Sequence, residues 1–377
     1  MVWNPQGTDH GLSVSFSTEY KGVKEFFHYS VWRFKLLMTK ESANHITLEH
    51  GSGGMLTMAL IKDMILGHLK NQYLEPLDDS AELPLPSSGR LAFTLDSYVV
   101  DPIFFPGGDI GSLSVYGSIN DLSMQGAVPL YLALGLILEE GFHKEALAKI
   151  IASISHASKK AGVLVVTGDT KVVKKGQADK IFVTTAGVGF IPEGRNTAID
   201  NARAGDLILI NGGVGDHGIA IMMARQELGI SSHIQTDSQP LNLLLEHLGD
   251  LMQHVHVLKD PTRGGLATSL NEIAEASGVG IVLEESSIPI KQEVLQISDL
   301  LGLDPLYLAN EGKMVMAVER GWAEKVLQRM REHPFGLDAS IIGEVLEEPK
   351  GKVIMRTRIG GKRILPVMRG VQLPRIC

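Results

Sequence analysis

Cysteine is almost missing from this chain of 377 residues: it occurs once, at position 377. One thiol cannot form a disulfide within its own chain, so a reducing, cytoplasmic setting is expected. An excess of positive charge is missing too. With 35 lysines and arginines against 43 acidic side chains, the formal net charge is −8, the wrong sign for a surface that tracks nucleic-acid phosphates. Basic pairs such as Lys174-Lys175 read as solvated faces. No apolar run reaches the roughly 18–20 residues of a membrane span, and no charged start followed by an apolar stretch marks a signal peptide. No short-period repeat points to a solenoid.

What is present suffices for a globular protein: 44% of residues are hydrophobic, enough to fill two or three domains at about 150 residues each. Met1 to Lys40 is aromatic-rich without helical or strand period. A second methionine, Met38, precedes the first well-patterned segment, so residues 1–44 read as an extraneous or poorly ordered extension. From there the pattern alternates. Strands are expected at Arg90 to Val100, Pro129 to Leu138, Val163 to Thr167 and Lys180 to Phe190, with helices at Asp109 to Gln125 and His143 to Lys160, the latter stopped by Gly162. After a loop at 191–196, a strand at Asp206 to Ile210 opens a second half. Its helices are expected near Gly218 to Leu228, Leu266 to Ala276 and Trp322 to His333, and its strands at Gly280 to Leu283, Lys313 to Val318, Ser340 to Val345 and Val353 to Arg356. The class is α/β to α+β in two lobes, 45–192 and 193–360, each mixing sheet and helices. Past Lys362 the period fades into Pro366, Gly370 and Pro374, which reads as an extended, mobile tail over 361–377.

Several residues can carry chemistry, and each also has a plain structural reading. Gly51-Ser52-Gly53-Gly54 can bring backbone N–H groups close to an anion, or simply turn the chain. Aspartates recur in turns and at strand ends: Asp79, Asp96, Asp121, Asp169 beside Thr170, and Asp260 ahead of Arg263-Gly264-Gly265. Singly, each serves as well for a cap as for a metal. Together, next to an anion-binding loop, they make a coherent site for magnesium and nucleotide phosphates. Lys171 is either a surface lysine or a group that holds phosphate oxygens, and Glu311 either a turn carboxylate or a general base. Cys377 is either a stray thiol on a fraying end or a tethered, swinging nucleophile. His254 and His256 share a face only if that segment is a strand, and their spacing reads as coincidence.

At these residues the chain resembles a known family. His50-Gly-Ser-Gly-Gly54, Asn120-Asp121, Gly135-Leu-Ile-Leu-Glu-Glu140, Gly168-Asp-Thr-Lys-Val-Val173, Asp260-Pro-Thr-Arg-Gly-Gly265, Ala309-Asn-Glu-Gly312 and Pro374-Arg-Ile-Cys377 are similar to the HypE carbamoyl dehydratases of hydrogenase maturation. These belong to the aminoimidazole ribonucleotide synthetase and selenophosphate synthetase superfamily. The resemblance runs from about His45 to Cys377, and the Pro-Arg-Ile-Cys ending is its most discriminating part. It implies the superfamily's two-lobed fold, with 45–192 binding ATP and forming a homodimer. It also implies dehydration, at the expense of ATP, of a carbamoyl group on Cys377 to a thiocyanate that supplies the cyanide ligands of nickel-iron hydrogenase. A carbamoyltransferase, HypF, would load the thiol, and the scaffold proteins HypC and HypD would receive the cyano group. Carried over by position, Lys171 and Glu311 would assist deprotonation of the carbamoyl nitrogen. Gly51, Ser52, Gly53, Gly54, Asp169, Thr170, Gly264 and Gly265 would bind ATP, and Asp79, Asp96, Asp121 and Asp260 would hold Mg2+. Two other readings stay open: a superfamily synthetase acting on another small substrate, and a non-catalytic nucleotide-binding adaptor that presents its thiol to a metal-handling partner.

Overall fold

The computed structural model describes residues 44–77, 80–84, 88–225, 232–368 and 375–377. The N-terminal extension up to residue 43, Met38 included, lies outside the described residues, as do Asp79, the end of the expected helix at 226–228 and tail residues 369–374. Residues 46–377 form one compact unit.

Its first half is a four-stranded sheet ordered β1-β6-β4-β5, from β1 (Arg90–Tyr98), β4 (Val128–Glu139), β5 (Leu164–Val173) and β6 (Ile181–Ile191). β4 and β5 run parallel, and the other pairs are antiparallel. Before it lie the helical turns α1 (Met55–Ala59) and α2 (Leu66–Leu69), joined by a π-helical stretch that the sequence pattern does not announce. Two short strands, β2 (Phe104–Phe105) and β3 (Gly108–Asp109), lead into α3 (Ile110–Met124). α3 starts where the sequence suggests because Asp109 accepts hydrogen bonds from the backbone of Gly111 (2.7 Å) and Ser112 (3.0 Å), satisfying two donors that the first turn leaves unpaired. α4 (Lys144–Ala161) ends at Gly162, whose φ of 73° is left-handed. Leu113 and Ile119 of α3 and Ile150 and Ile154 of α4 are fully buried against the sheet, each stabilising the fold by about 1.5–3 kcal/mol.

Period-two alternation along β1 divides its side chains. Ala92, Thr94, Asp96 and Tyr98 turn inward toward α3, whereas Leu91, Phe93 and Leu95 lie 56%, 71% and 64% exposed on the opposite face. One face of this sheet is therefore covered by helices, and the other presents apolar side chains to solvent.

The second half is a seven-stranded sheet of β7 (Leu207–Ile210), β8 (Val255–Lys259), β9 (Gly280–Glu284), β10 (Val315–Val318), β11 (Ser340–Leu346), β12 (Lys352–Arg356) and β13 (Lys362–Leu365), ordered β13-β12-β9-β11-β7-β10-β8. Helices flank both faces, which is why β7 and β10 read as unbroken apolar runs instead of alternating. Ile208, Ile210, Val315 and Ala317 pack with Leu266, Leu270 and Ile273 of α7 (Gly265–Ser277). Leu209, Met316 and Val318 pack with Leu244 of α6 (Asn242–Leu248) and with Val326 and Met330 of α9 (Arg320–Arg331). α5 (Asp216–Ala224) and α8 (Gln292–Leu301) complete the helices used below.

The structure departs from expectation at the tail. Lys362–Leu365 pairs with β12 as a strand, and Arg375, Ile376 and Cys377 pack against the body instead of extending away. His254 and His256 are bound to separate carboxylates, Glu319 at 2.9 Å and Asp206 at 2.8 Å.

Candidate active site

The site is built around the loop from Leu308 to Lys313, which two buried asparagines hold rigid. Asn310 accepts from the backbone of Gly215 (2.7 Å) and donates to the carbonyls of Pro261 and Leu308 (3.0 Å each), tying the Asp260-Pro261 turn to the start of α5. Asn120, on α3, donates to the carbonyl of Glu311 (3.1 Å) and accepts from the backbone of Leu241 (2.8 Å). Asp237 accepts from the backbone N–H of Glu311 (3.0 Å). Position 312 must be glycine, since a Cβ there would collide with the Asp237 carbonyl. The result is a Glu311 carboxyl only 4% exposed, with Oε1 lacking any hydrogen-bond partner. Burial pushes this carboxyl well above the usual range; the charges of Asp260, Asp237 and Asp121 add to the effect, and Arg263 opposes it.

Beside Glu311 stands a group of carboxylates drawn from three elements. Asp96 comes from the inner face of β1, Asp121 from the last turns of α3, and Asp260 follows β8. Thr94 Oγ1 bridges Asp96 (3.2 Å) and Asp121 (3.4 Å), and Ser118 donates to Asp96 at 2.7 Å. The Asp121 carboxyl is pushed up to about 8, first by burial, then by the charges of Asp260 and Asp96 and a hydrogen bond with Asp96, against Lys259. Asp260 is also raised, chiefly by burial, with Lys259 opposing. Crowded carboxylates of this kind are what a divalent cation relieves. Among the described residues no three His, Cys, Asp or Glu side chains converge tightly enough to cage an ion on their own.

Cys377 completes this group. The backbone N–H groups of Val99 and Asp101 donate to the carbonyls of Cys377 and Arg375 (3.2 Å each), so the tail lies along the segment that leaves β1. Arg375 donates to the Val99 carbonyl (2.8 Å) and to the Asp179 carboxylate (2.6 Å), and Arg225 donates to the Arg375 carbonyl (3.1 Å). Ile376 is buried in the core of the first half. The half-buried Cys377 thiol is pushed up to about 12, first by burial and then by the charge of Glu311, with Asp96 and Asp121 adding and Arg263 opposing. The thiol therefore lies within electrostatic reach of Glu311, Asp96 and Asp121.

The remaining candidates gather elsewhere. Gly51, Gly53, Asp169, Thr170 and Lys171 line a cavity of about 310 Å³, whose deeper wall is apolar through side chains such as Ile61 and Leu66. Gly51 is required by packing, because a Cβ would come within 2.6 Å of the Val172 nitrogen. Ser52 and Gly54 are exposed in the same loop. Lys171 Nζ is held by Asp169 (2.9 and 3.0 Å), and the same contact keeps Asp169 below its ordinary range. Among the described residues no hydrogen bond or ion pair joins Lys171 to Glu311 or Cys377, so the fold of a single chain separates two residues that the resemblance puts to one task. Gly264 and Gly265 open α7 with φ of 81° and 62°, and a Cβ on Gly265 would meet the Leu306 and Leu308 carbonyls at 2.6 Å.

Comparison with known proteins gives this geometry a family. Residues 77–191 match the N-terminal domain of AIR synthase related proteins, and 203–356 match the C-terminal domain. The carbamoyl dehydratase HypE of Cupriavidus necator is 47% identical over 89% of this chain and 95% of its own length. The chain belongs to the HypE family. A crystal structure of hydrogenase maturation protein HypE in complex with ATP superposes with a TM-score of 0.84 at 47% identity, covering 88% of this chain and 99% of that one. A HypE–HypF complex gives 0.72 at 47% identity, over 82% of this chain and 100% of the other. In this HypE-family site, sequence reasoning passed over Asn120 and Arg263, quoted only inside motifs, and Asp179, His217 and Asp237 altogether. Asn120 sits directly before Asp121, and a buried asparagine in an otherwise apolar helix face is a signal in its own right.

Proposed function

We propose that this chain uses ATP to dehydrate a carbamoyl group carried on Cys377 to a thiocyanate, supplying the cyanide ligands of nickel-iron hydrogenase. The carbamoyl oxygen attacks the γ-phosphorus of ATP and ADP leaves. The O-phosphorylated group then loses its two nitrogen protons and phosphate, closing to S–C≡N. The oxygen departs within phosphate, so the balance is S-carbamoyl plus ATP to thiocyanate, ADP, phosphate and a proton.

The single observation that carries this reading is the unpartnered Oε1 of buried Glu311 in the group that surrounds Cys377. A carboxylate with a raised pKa takes up a proton more strongly than a solvated one, which is the task of a base facing a weakly acidic amide N–H. Arg263, which opposes the rise in both Glu311 and Cys377, is positioned to steady negative charge there. Gly51, Ser52, Gly53, Gly54, Asp169 and Thr170 form the nucleotide end, with Lys171 toward its phosphates, and Gly264 and Gly265 bring the start of α7 to the same loop as Glu311. Asp96, Asp121 and Asp260, with Asp79, would hold Mg2+, which supplies charge neutralisation on phosphate when bound.

The solved HypE–HypF complex supports a carbamoyltransferase as the loading partner, and the scaffold proteins HypC and HypD are the acceptors this reading proposes. The exposed Leu91, Phe93 and Leu95 support pairing of two copies through residues 45–192, with 193–360 as the second domain and 361–377 as the carrier tail. A cytoplasmic site of action suits a carrier that must keep its thiol free. The test is the intact mass of the protein produced with a carbamoyltransferase, before and after Mg-ATP. Gain of one carbamoyl group and ATP-dependent loss of one water support the reading; a protein left unmodified beside an active transferase overturns it.

A further inference from the structure

His217 is fully buried in the first turn of α5, far along the chain from the tail, yet both its ring nitrogens are engaged. Nε2 lies 2.9 Å from the Ile376 carbonyl oxygen and Nδ1 lies 2.7 Å from Thr236 Oγ1. A carbonyl can only accept, so Nε2 carries the proton. In the neutral ring, which burial favours, Nδ1 is then the acceptor and takes the Thr236 hydroxyl proton, while Thr236 Oγ1 accepts from the Ser238 backbone N–H (3.1 Å). Phe105 meets the imidazole edge-on, with ring centroids 5.7 Å apart at 88°, and fixes its plane. The chain of donors thus runs in one direction, from Ser238 through Thr236 and His217 to the peptide that adjoins the thiol.

We infer that His217, held in one tautomer by Thr236, is a positioning residue that grips the Ile376 carbonyl and so sets the carbamoylated Cys377 against Glu311. This rests on the dehydratase reading above. The grip acts only on the docked tail, so it affects dehydration and not loading, which requires the tail to reach another protein. Removing one buried donor, and leaving its carbonyl unpaired, lowers occupancy of the docked geometry about tenfold.

The test uses the full chain, carbamoylated beforehand, in single-turnover dehydration with Mg-ATP followed by intact mass. His217→Ala is expected to slow dehydration about tenfold while leaving ATP affinity and the rate of carbamoylation unchanged. His217→Gln, whose amide can still donate, restores part of the rate. Alkylation of the uncarbamoylated thiol by iodoacetamide accelerates in His217→Ala and falls back toward the wild-type rate in His217→Gln, with Tm held in both; a role in overall folding would lower Tm along with it. Thr236→Val, which keeps the imidazole and removes the proton donor at Nδ1, gives the same pattern in weaker form and serves if His217→Ala fails to fold. Wild-type rates of dehydration and alkylation in these variants overturn the inference. If the wild-type chain does not dehydrate at all, the proposed function fails, and the alkylation arm alone decides whether His217 grips the tail.

Discussion

The docked Cys377 thiol makes a quantitative forecast about its own reactivity. Its pKa stands at about 12 against an ordinary value of 9.0, and only the thiolate attacks an alkylating agent. At pH 8 a free cysteine is about one-tenth thiolate and the docked one about one ten-thousandth, so docking suppresses alkylation up to roughly a thousandfold. The pH profile then follows from linkage. A pKa raised by docking means that docking is at full strength below pH 9 and weakens as pH climbs toward 12. Whether iodoacetamide reacts in place or only on a released tail, the rate therefore keeps rising past pH 9, where a free peptide levels off. The assay compares the wild-type chain, Arg375→Ala and a synthetic peptide of the last residues across that range. Arg375→Ala, which loses both the Asp179 pair and the Val99 bond, each worth about 1 kcal/mol, should speed alkylation about thirtyfold, part of the way to the peptide's rate. A wild-type protein that alkylates as fast as the peptide and levels off with it would refute the reasoning.

Three further outcomes are expected. Asp121 carries a pKa of about 8 against 3.8, so its contribution to stability is complete below pH 4 and lost as pH rises through 8; Asp121→Asn should raise Tm at pH 8 and match wild type near pH 4, and an equal gap at both would contradict this. Asn310→Ala leaves the Gly215 N–H and the Leu308 carbonyl unpaired, while the Pro261 carbonyl keeps the backbone N–H of residue 310, and should cost about 2–4 kcal/mol in denaturant unfolding; a loss under 1 kcal/mol, roughly one ordinary hydrogen bond, would show that the loop is held by other means. Phe93→Lys, on the exposed face of β1, should turn the proposed dimer into a monomer in sedimentation and remove the dependence of Tm on protein concentration that pairing confers, and an unchanged sedimentation coefficient would remove that face from the interface.

Local pattern explains what was legible in advance. β1, β4 and β6 are rich in strand-forming residues, α4 has an amphipathic face and a glycine stop, and the helix expected from Asp109 does begin there, with Asp109 as its cap. Asp96, Asp121, Asp260, Glu311 and Cys377 were picked from motifs, and the fold does set them in one neighbourhood. What stayed hidden depends on contacts between distant positions. The apolar run through Met55–Leu69 lacks caps that would mark it as helical, and β13 is too short and too charged to declare itself without β12 beside it. Asp237 gave no sign because its partners, the backbone N–H of residue 311 and the Lys313 ammonium, are distant in the chain. Lys171 was coupled to Glu311 by analogy alone, and a single chain places it instead in a cavity with Asp169. His217 and Ile376 are 159 positions apart, and no spacing rule reaches that far.

The composition of the tail's dock bears on turnover. Among the described residues, one ion pair with side chains 35% and 42% exposed, a few hydrogen bonds and one buried isoleucine hold it, and a pair that exposed is worth at most about 1 kcal/mol. A catalyst whose substrate is fixed to itself never faces a diffusion-limited supply, but it does face its own product at a very high effective concentration. Tight docking would leave such an enzyme inhibited by the group it has just made. Modest docking keeps dwell time short, and substitutions that strengthen the tail's contacts should speed a single dehydration while slowing delivery over many cycles.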